Sequence, residues 1–187
     1  MLKSFNKILA IFLLIMVVLL IWKAIQEQVP YNVVSLSGDN YITNQTEYNF
    51  ADTTLAVALD IAEVKGVSVI MKELTAELRE KFRQENTGVE LNAAIFGVGN
   101  QYILYVSKLT RRESLKVMAH EVIHLMQYRS KRLQVLPPKT IVWESDTITT
   151  DKLYDIPYGQ RPWEREAFDG EDGLTDKMEE ILYGKNM

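Results

Sequence analysis

The clearest chemistry in this chain lies in His120-Glu121-Val122-Ile123-His124. On a helix, residues four apart stand one turn above each other on the same face, so the two imidazoles can share one metal ion. Neutral imidazole suits Zn²⁺, and Glu121 between them is placed to take a proton from a water on that ion. These are the only two histidines in 187 residues, and the chain has no cysteine. Thiolate metal sites, disulfides and a thiol nucleophile are thereby excluded.

The pattern needs a helix, and the flanking residues write one. Thr110-Arg111-Arg112-Glu113 is a capping box that marks the start. Leu115, Met118, Val122, Leu125 and Met126 recur at helical spacing and predict an apolar side. The segment from Lys131 to Pro138 ends it, since Pro137-Pro138 cannot continue a helix. Lys116, Glu121 and the Arg129-Ser130-Lys131-Arg132 tail argue against placing this helix inside a bilayer.

Upstream, Asp52 to Glu63 and Lys72 to Glu85 are expected as helices, the second carrying Leu74, Leu78 and Phe82 on one side and ending near Gly88. Val89–Phe96 and Gln101–Lys108 read as a β-hairpin around Gly97-Val98-Gly99-Asn100. Downstream, Lys139–Trp143 reads as a short strand and Glu144–Gln160 as loop. Pro162 suits the first position of a further helix, and Leu174–Tyr183 reads as a last one ending at Gly184.

The amino-terminal end is of another character. Ile8 to Trp22 is an unbroken apolar run with lysines at both flanks, about long enough to span a bilayer. No small-x-small cleavage site follows it, so a retained anchor over residues 1–25 is expected rather than a cleaved signal. Lys3 and Lys7 before the run favour a cytoplasmic amino terminus and an extracytoplasmic remainder. Residues 26–51 are polar and rich in turn formers, a spacer with room for one short strand. Asn44-Gln45-Thr46 fits the glycosylation pattern but reads as a surface loop. Residues 52–187 form the remaining domain. A net charge of −4 gives no support for nucleic-acid binding.

Residues 120–124 resemble the signature of the zincin metallopeptidases. Where the metzincin branch continues with Gly and a third His, this chain has Gln127 and no further His. The resemblance therefore points to the gluzincin branch, whose third ligand is a carboxylate. It implies an α+β fold, with helices packed on a small, mostly antiparallel sheet and an edge strand along the cleft. Several gluzincin families carry Glu-x-x-Ala-Asp or Glu-x-Glu-Ala-Asn on the next helix, with the first Glu as ligand. Glu164-Arg165-Glu166-Ala167 resembles this and makes Glu164 the expected third ligand, with Glu166 as the alternative. Phe168 departs from the pattern, because those families place there an Asp or Asn that holds a ligand His. Asp169 or a backbone carbonyl is left for that role, or the register of the match is shifted by two. Tyr154, Tyr158 and Arg161 are candidates to stabilise the oxyanion.

The expected function is a membrane-anchored zinc metallopeptidase acting on a peptide or protein substrate. His120, His124 and Glu164 would bind Zn²⁺, with Glu121 as general base. The alternative is a membrane-tethered, non-catalytic module that keeps a zincin-like fold. The substrate's identity is not written in the sequence.

Overall fold

A computed structural model of the protein describes residues 32–36, 39–48, 50–85, 88–136 and 140–184. The expected anchor lies outside these residues. Among the described residues, no helix is long and apolar enough to cross a membrane.

The protein is α+β. In chain order the elements are β1 (Asn32–Leu36), β2 (Asn40–Asn44), α1 (Ala51–Ile61), β3 (Ser68–Glu73), α2 (Ala76–Glu85), β4 (Ala93–Val98) and β5 (Gln101–Val106). Then follow α3 (Arg111–Arg129), β6 (Leu133–Leu136), β7 (Thr140–Trp143), β8 (Asp146–Ile148), α4 (Thr150–Asp155), a 3₁₀ turn at Tyr158–Gln160 and α5 (Pro162–Tyr183).

The main sheet has the order β1-β2-β3-β5-β4. Its outer pairs, β1–β2 and β4–β5, are antiparallel, and its inner pairs, β2–β3 and β3–β5, are parallel. The main sheet is thus mixed, not mostly antiparallel. Parallel neighbours need a crossover, and the α1 segment between β2 and β3 supplies one. A second sheet, β6-β7-β8, is antiparallel throughout.

The core lies between the main sheet and α1, α3 and α5. Alternation along β5 sends Tyr102, Leu104 and Val106 inward. They meet Leu55 and Leu59 of α1, Leu115, Met118, Val122 and Leu125 of α3, and Met178 of α5. Met126 also fits the helical spacing, yet it is 42% exposed at the edge of the buried face. On the other face of the sheet, Phe82 of α2 rests on Phe96 and Tyr105, with ring centroids 5.6 and 6.3 Å away. A satellite cluster of Leu133, Trp143 and Trp163 ties the second sheet to the start of α5.

Several elements differ from the sequence expectation. The segment read as a spacer contributes both β1 and β2 to the main sheet. Asn40 makes this possible for a polar stretch: its amide donates to the Val64 carbonyl (2.6 Å) and accepts from the Val67 N–H (3.1 Å). Asn44 is 3% exposed and accepts from both the N–H and the hydroxyl of Thr46, so it sits in a folded turn rather than an open surface loop. The helix expected from Lys72 begins at Ala76, after β3 and a Thr75 hydroxyl that accepts from Leu78 N–H (3.3 Å). The two carboxy-terminal helices are one, continuous through Gly170 and Gly173.

The start of α3 is fixed as its sequence indicates. Thr110 Oγ1 accepts from Glu113 N–H (3.3 Å), while Glu113 Oε2 accepts from Thr110 N–H (2.8 Å). Replacing Thr110 by Ala should cost about 1 kcal/mol and lower Tm by roughly 2–4 °C. Denaturant and thermal melts check this, and an unchanged midpoint would show that the box does not anchor the helix.

A candidate metal centre on two helices

α3 brings His120, Glu121 and His124 to one buried patch, each residue only 5–7% exposed. α5 brings the third group. Its first turn starts at Pro162 and places Glu164 two residues on, at 6% exposure. Trp163 beside it packs on Trp143 with centroids 6.2 Å apart, which holds this end of α5 in place.

His120, His124 and Glu164 form a group able to hold a metal ion. Two atoms about 2.1 Å from one tetrahedral ion lie roughly 3.4 Å apart. Here His120 Nε2 and His124 Nε2 are 3.1 Å apart, and Glu164 Oε2 lies 3.4 and 3.3 Å from them.

Their hydrogen bonds settle which ring atoms carry protons. His120 Nδ1 is 2.9 Å from Glu171 Oε2, and a carboxylate can only accept, so Nδ1 is the donor. Gln127 Nε2 donates to the Trp163 carbonyl (2.9 Å), which turns its Oε1 toward His124 Nδ1 at 2.8 Å. His124 therefore also donates from Nδ1. In the neutral imidazoles, both Nε2 atoms present lone pairs to each other and to a carboxylate oxygen. Glu164 Oε2 is buried and has no hydrogen-bond partner among the described residues. Three converging lone pairs repel unless a cation lies among them, so the donor set fits a metal ion.

The electrostatics agree. Burial alone would lower the pKa of His124, but the Glu164 carboxylate 3.3 Å away raises it to about 9. His120 is raised by the same competition. Burial would raise Glu164, yet both imidazoles and the Tyr158 hydroxyl hold it down at about 2. Without a metal, the site attracts protons in its place. Glu121 differs: burial pushes its pKa up against the two imidazoles, while the Ile95 N–H of β4 donates to it. Its Oε2 is buried and has no partner among the described residues.

The other expected residues fall into place. Glu166 points away from this group and takes a two-pronged hydrogen bond from Arg132 (2.8 and 2.6 Å). Asp169 is exposed. Phe168 lies against the His120 ring, with centroids 4.8 Å apart. Glu171, seven residues and two turns after Glu164, orients His120 and is itself paired with Lys116 at 3.1 Å. Neither Glu171 nor Gln127 was singled out for this role from sequence. Gln127 carried a usable signal, at three residues past His124 on the same helix face. Of the oxyanion candidates, Tyr154 is 44% exposed, whereas Tyr158 donates to Glu164. Arg161 is buried, with its guanidinium 5.3 Å over the Tyr158 ring.

Two clefts meet at this centre. One, of about 320 Å³, is bordered by β4, the second sheet and the segment from Leu153 to Glu164. The other, of about 360 Å³, follows Val89–Ala93 and the first half of α3. Leu91, Ala93, Glu121 and Tyr158 border both. Comparison with protein-family models, curated proteins and solved structures finds no match to this chain.

Glu164→Ala should abolish tight metal binding, whereas Glu166→Ala should leave it intact, as read by metal content after dialysis. Glu171→Gln should weaken binding about 10- to 100-fold, because His120 loses a charged partner. Binding should displace protons from the imidazoles. Affinity should therefore fall as pH drops below about 9, the value for His124, by about tenfold per pH unit for each proton displaced. Calorimetry in buffers of different ionisation enthalpy counts those protons, and a pH-independent affinity would contradict the assignment.

Proposed function

We propose that the protein is a zinc-dependent peptide hydrolase of the zincin kind, gluzincin-like in its ligands. The observation that carries this reading is the buried triangle of His120 Nε2, His124 Nε2 and Glu164 Oε2 beside a buried, half-satisfied Glu121. Its donors, two imidazoles and one carboxylate, match a catalytic zinc that keeps a fourth position open better than a closed structural site.

Bound there, Zn²⁺ would supply Lewis acidity that brings the pKa of a water to about 7 and polarises a carbonyl. Glu121 takes the proton from the attacking water and returns it to the leaving amine. Burial favours this, because a carboxylate with a raised pKa gives up a proton less readily than a solvated one and can hold it through the step. Tyr158, whose hydroxyl donates to Glu164 in the free site, would turn that O–H to the developing oxyanion. Burial, and then the neighbouring Glu164 charge, raise its pKa far above the usual value, so the phenol stays protonated and can donate. An extended substrate lies along β4, whose outer edge borders both clefts. The apolar run Ile8–Trp22 supports a membrane-anchored placement with the catalytic domain outside the cytoplasm.

Glu121→Gln should retain zinc and lose peptide hydrolysis by at least about 100-fold in kcat. Full activity in that variant would sink the mechanism. Tyr158→Phe should lower kcat by about 100- to 1000-fold, with zinc content and KM little changed. A loss confined to KM would make Tyr158 a binding residue instead.

A further inference from the structure

The direction of β4 and the difference between the two clefts bear on which side of the cleaved bond is selected. β4 is the edge strand of the main sheet, with β5 on its inner side. The Ser107 N–H donates to the Asn92 carbonyl (2.8 Å), so in this register Asn92, Ala94 and Phe96 turn their backbone groups to β5 and Ile95 turns its own away, toward Glu121. In an antiparallel pair, alternate residues turn their backbone groups the same way. Ala93 and Gly97 therefore present theirs along the same outer edge as Ile95, in position to pair with an extended chain.

β4 runs from the Val89–Ala93 cleft toward the one that borders Ala93–Phe96. Antiparallel pairing is the more stable arrangement per residue. A chain paired that way enters with its amino-terminal part beside Phe96 and leaves beside Ala93. The cleft it enters is apolar away from the metal end, walled by Leu133, Val135, Ile141 and Leu153. Its rim exposes Phe96 at 42%, Val135 at 53% and Tyr154 at 44%. The cleft by which it leaves carries charges, at Glu90, Glu113, Lys116 and Glu171, beside Val89, Val117 and Phe168.

We infer that the substrate is an extended polypeptide lying antiparallel to β4, with a large apolar side chain on the amino-terminal side of the cleaved bond seated in the cleft walled by Leu133, Val135, Ile141 and Leu153. This rests on the hydrolase reading of the same site. The carboxy-terminal side meets a mixed wall of charged and apolar side chains. Burying a Leu- or Phe-sized side chain there favours such substrates by about 10- to 100-fold in kcat/KM over a small polar one.

The test uses the full chain in detergent micelles, loaded with zinc, on a mixture of peptides of known sequence, with cut positions read by mass spectrometry. Large apolar residues should be enriched tenfold or more within two positions on the amino-terminal side of the cut. Val135→Glu, a substitution at the exposed rim, should erase that enrichment and bring in Lys or Arg. Enrichment only on the carboxy-terminal side would overturn the orientation, and an unchanged profile in Val135→Glu would overturn the cleft.

A second readout needs no turnover. Zinc-loaded Glu121→Gln should bind a labelled hexapeptide with a single Leu at least tenfold tighter than its Ser counterpart, and adding Val135→Glu should remove the difference. If the parent cuts nothing but this selectivity holds, the cleft stands and the hydrolase reading falls. If neither cutting nor selectivity appears in folded protein, the inference is overturned.

Discussion

The structure turns on three lone pairs brought together in a place that water cannot easily reach. His120 Nε2, His124 Nε2 and Glu164 Oε2 lie within 3.4 Å of one another. In the neutral imidazoles neither Nε2 is a donor, because Glu171 and Gln127 have committed both Nδ1 atoms as the donors. Turning either ring over would end the convergence. The two partners thus set the tautomers as well as the orientation of the rings, which is the usual work of residues behind a metal ligand.

That requirement fixes the packing of α3 against α5. Glu164 and Glu171 stand two turns apart on α5, and His120 must reach both: one with Nε2, the other with Nδ1. The helices must therefore lie close and in one register. Gly170 helps, since a Cβ there would come within 2.9 Å of the Ile123 side chain. Gln127 adds a second tie by joining His124 to the Trp163 backbone at the start of α5. β4 closes the remaining side through the Ile95 N–H on Glu121. The proposed base, the proposed ligands and the proposed substrate edge are thus held by the same three elements.

What the sequence disclosed was local. The capping box, the histidines one turn apart and Pro162 ahead of Glu164 each depend on contacts within three or four residues, and all are formed in the structure. What it hid depends on tertiary partners. Glu171 looks like any acidic residue in an acidic helix until α5 is laid on α3. The strands β1 and β2 lie in a stretch whose polar composition reads as spacer. Asn40 and Asn44 are nonetheless buried, because their amides replace backbone partners that a loop would find in water. Gly170 and Gly173 lower helix propensity enough to split α5 into two in the sequence reading. The first of them is where α5 meets Ile123 most closely.

The same burial that prepares the site makes it costly to hold empty. Glu121 and Glu164 each keep a buried oxygen without a hydrogen-bond partner among the described residues. An unsatisfied buried polar atom costs about 1–3 kcal/mol, and more when charged. Protonation offsets part of this, as the raised histidines show, but it places a donor where a ligand lone pair is needed. A divalent cation satisfies all three converging atoms at once. The free energy of its binding is then partly folding free energy, since an unfolded chain offers no such triangle. The unpaired oxygen of Glu121 is a different matter. A cation held by the other three residues leaves the oxygen of Glu121 still lacking a donor, and a water held between them would supply one. The residue left unsatisfied by the fold is therefore the one that the proposed reaction requires to accept a proton.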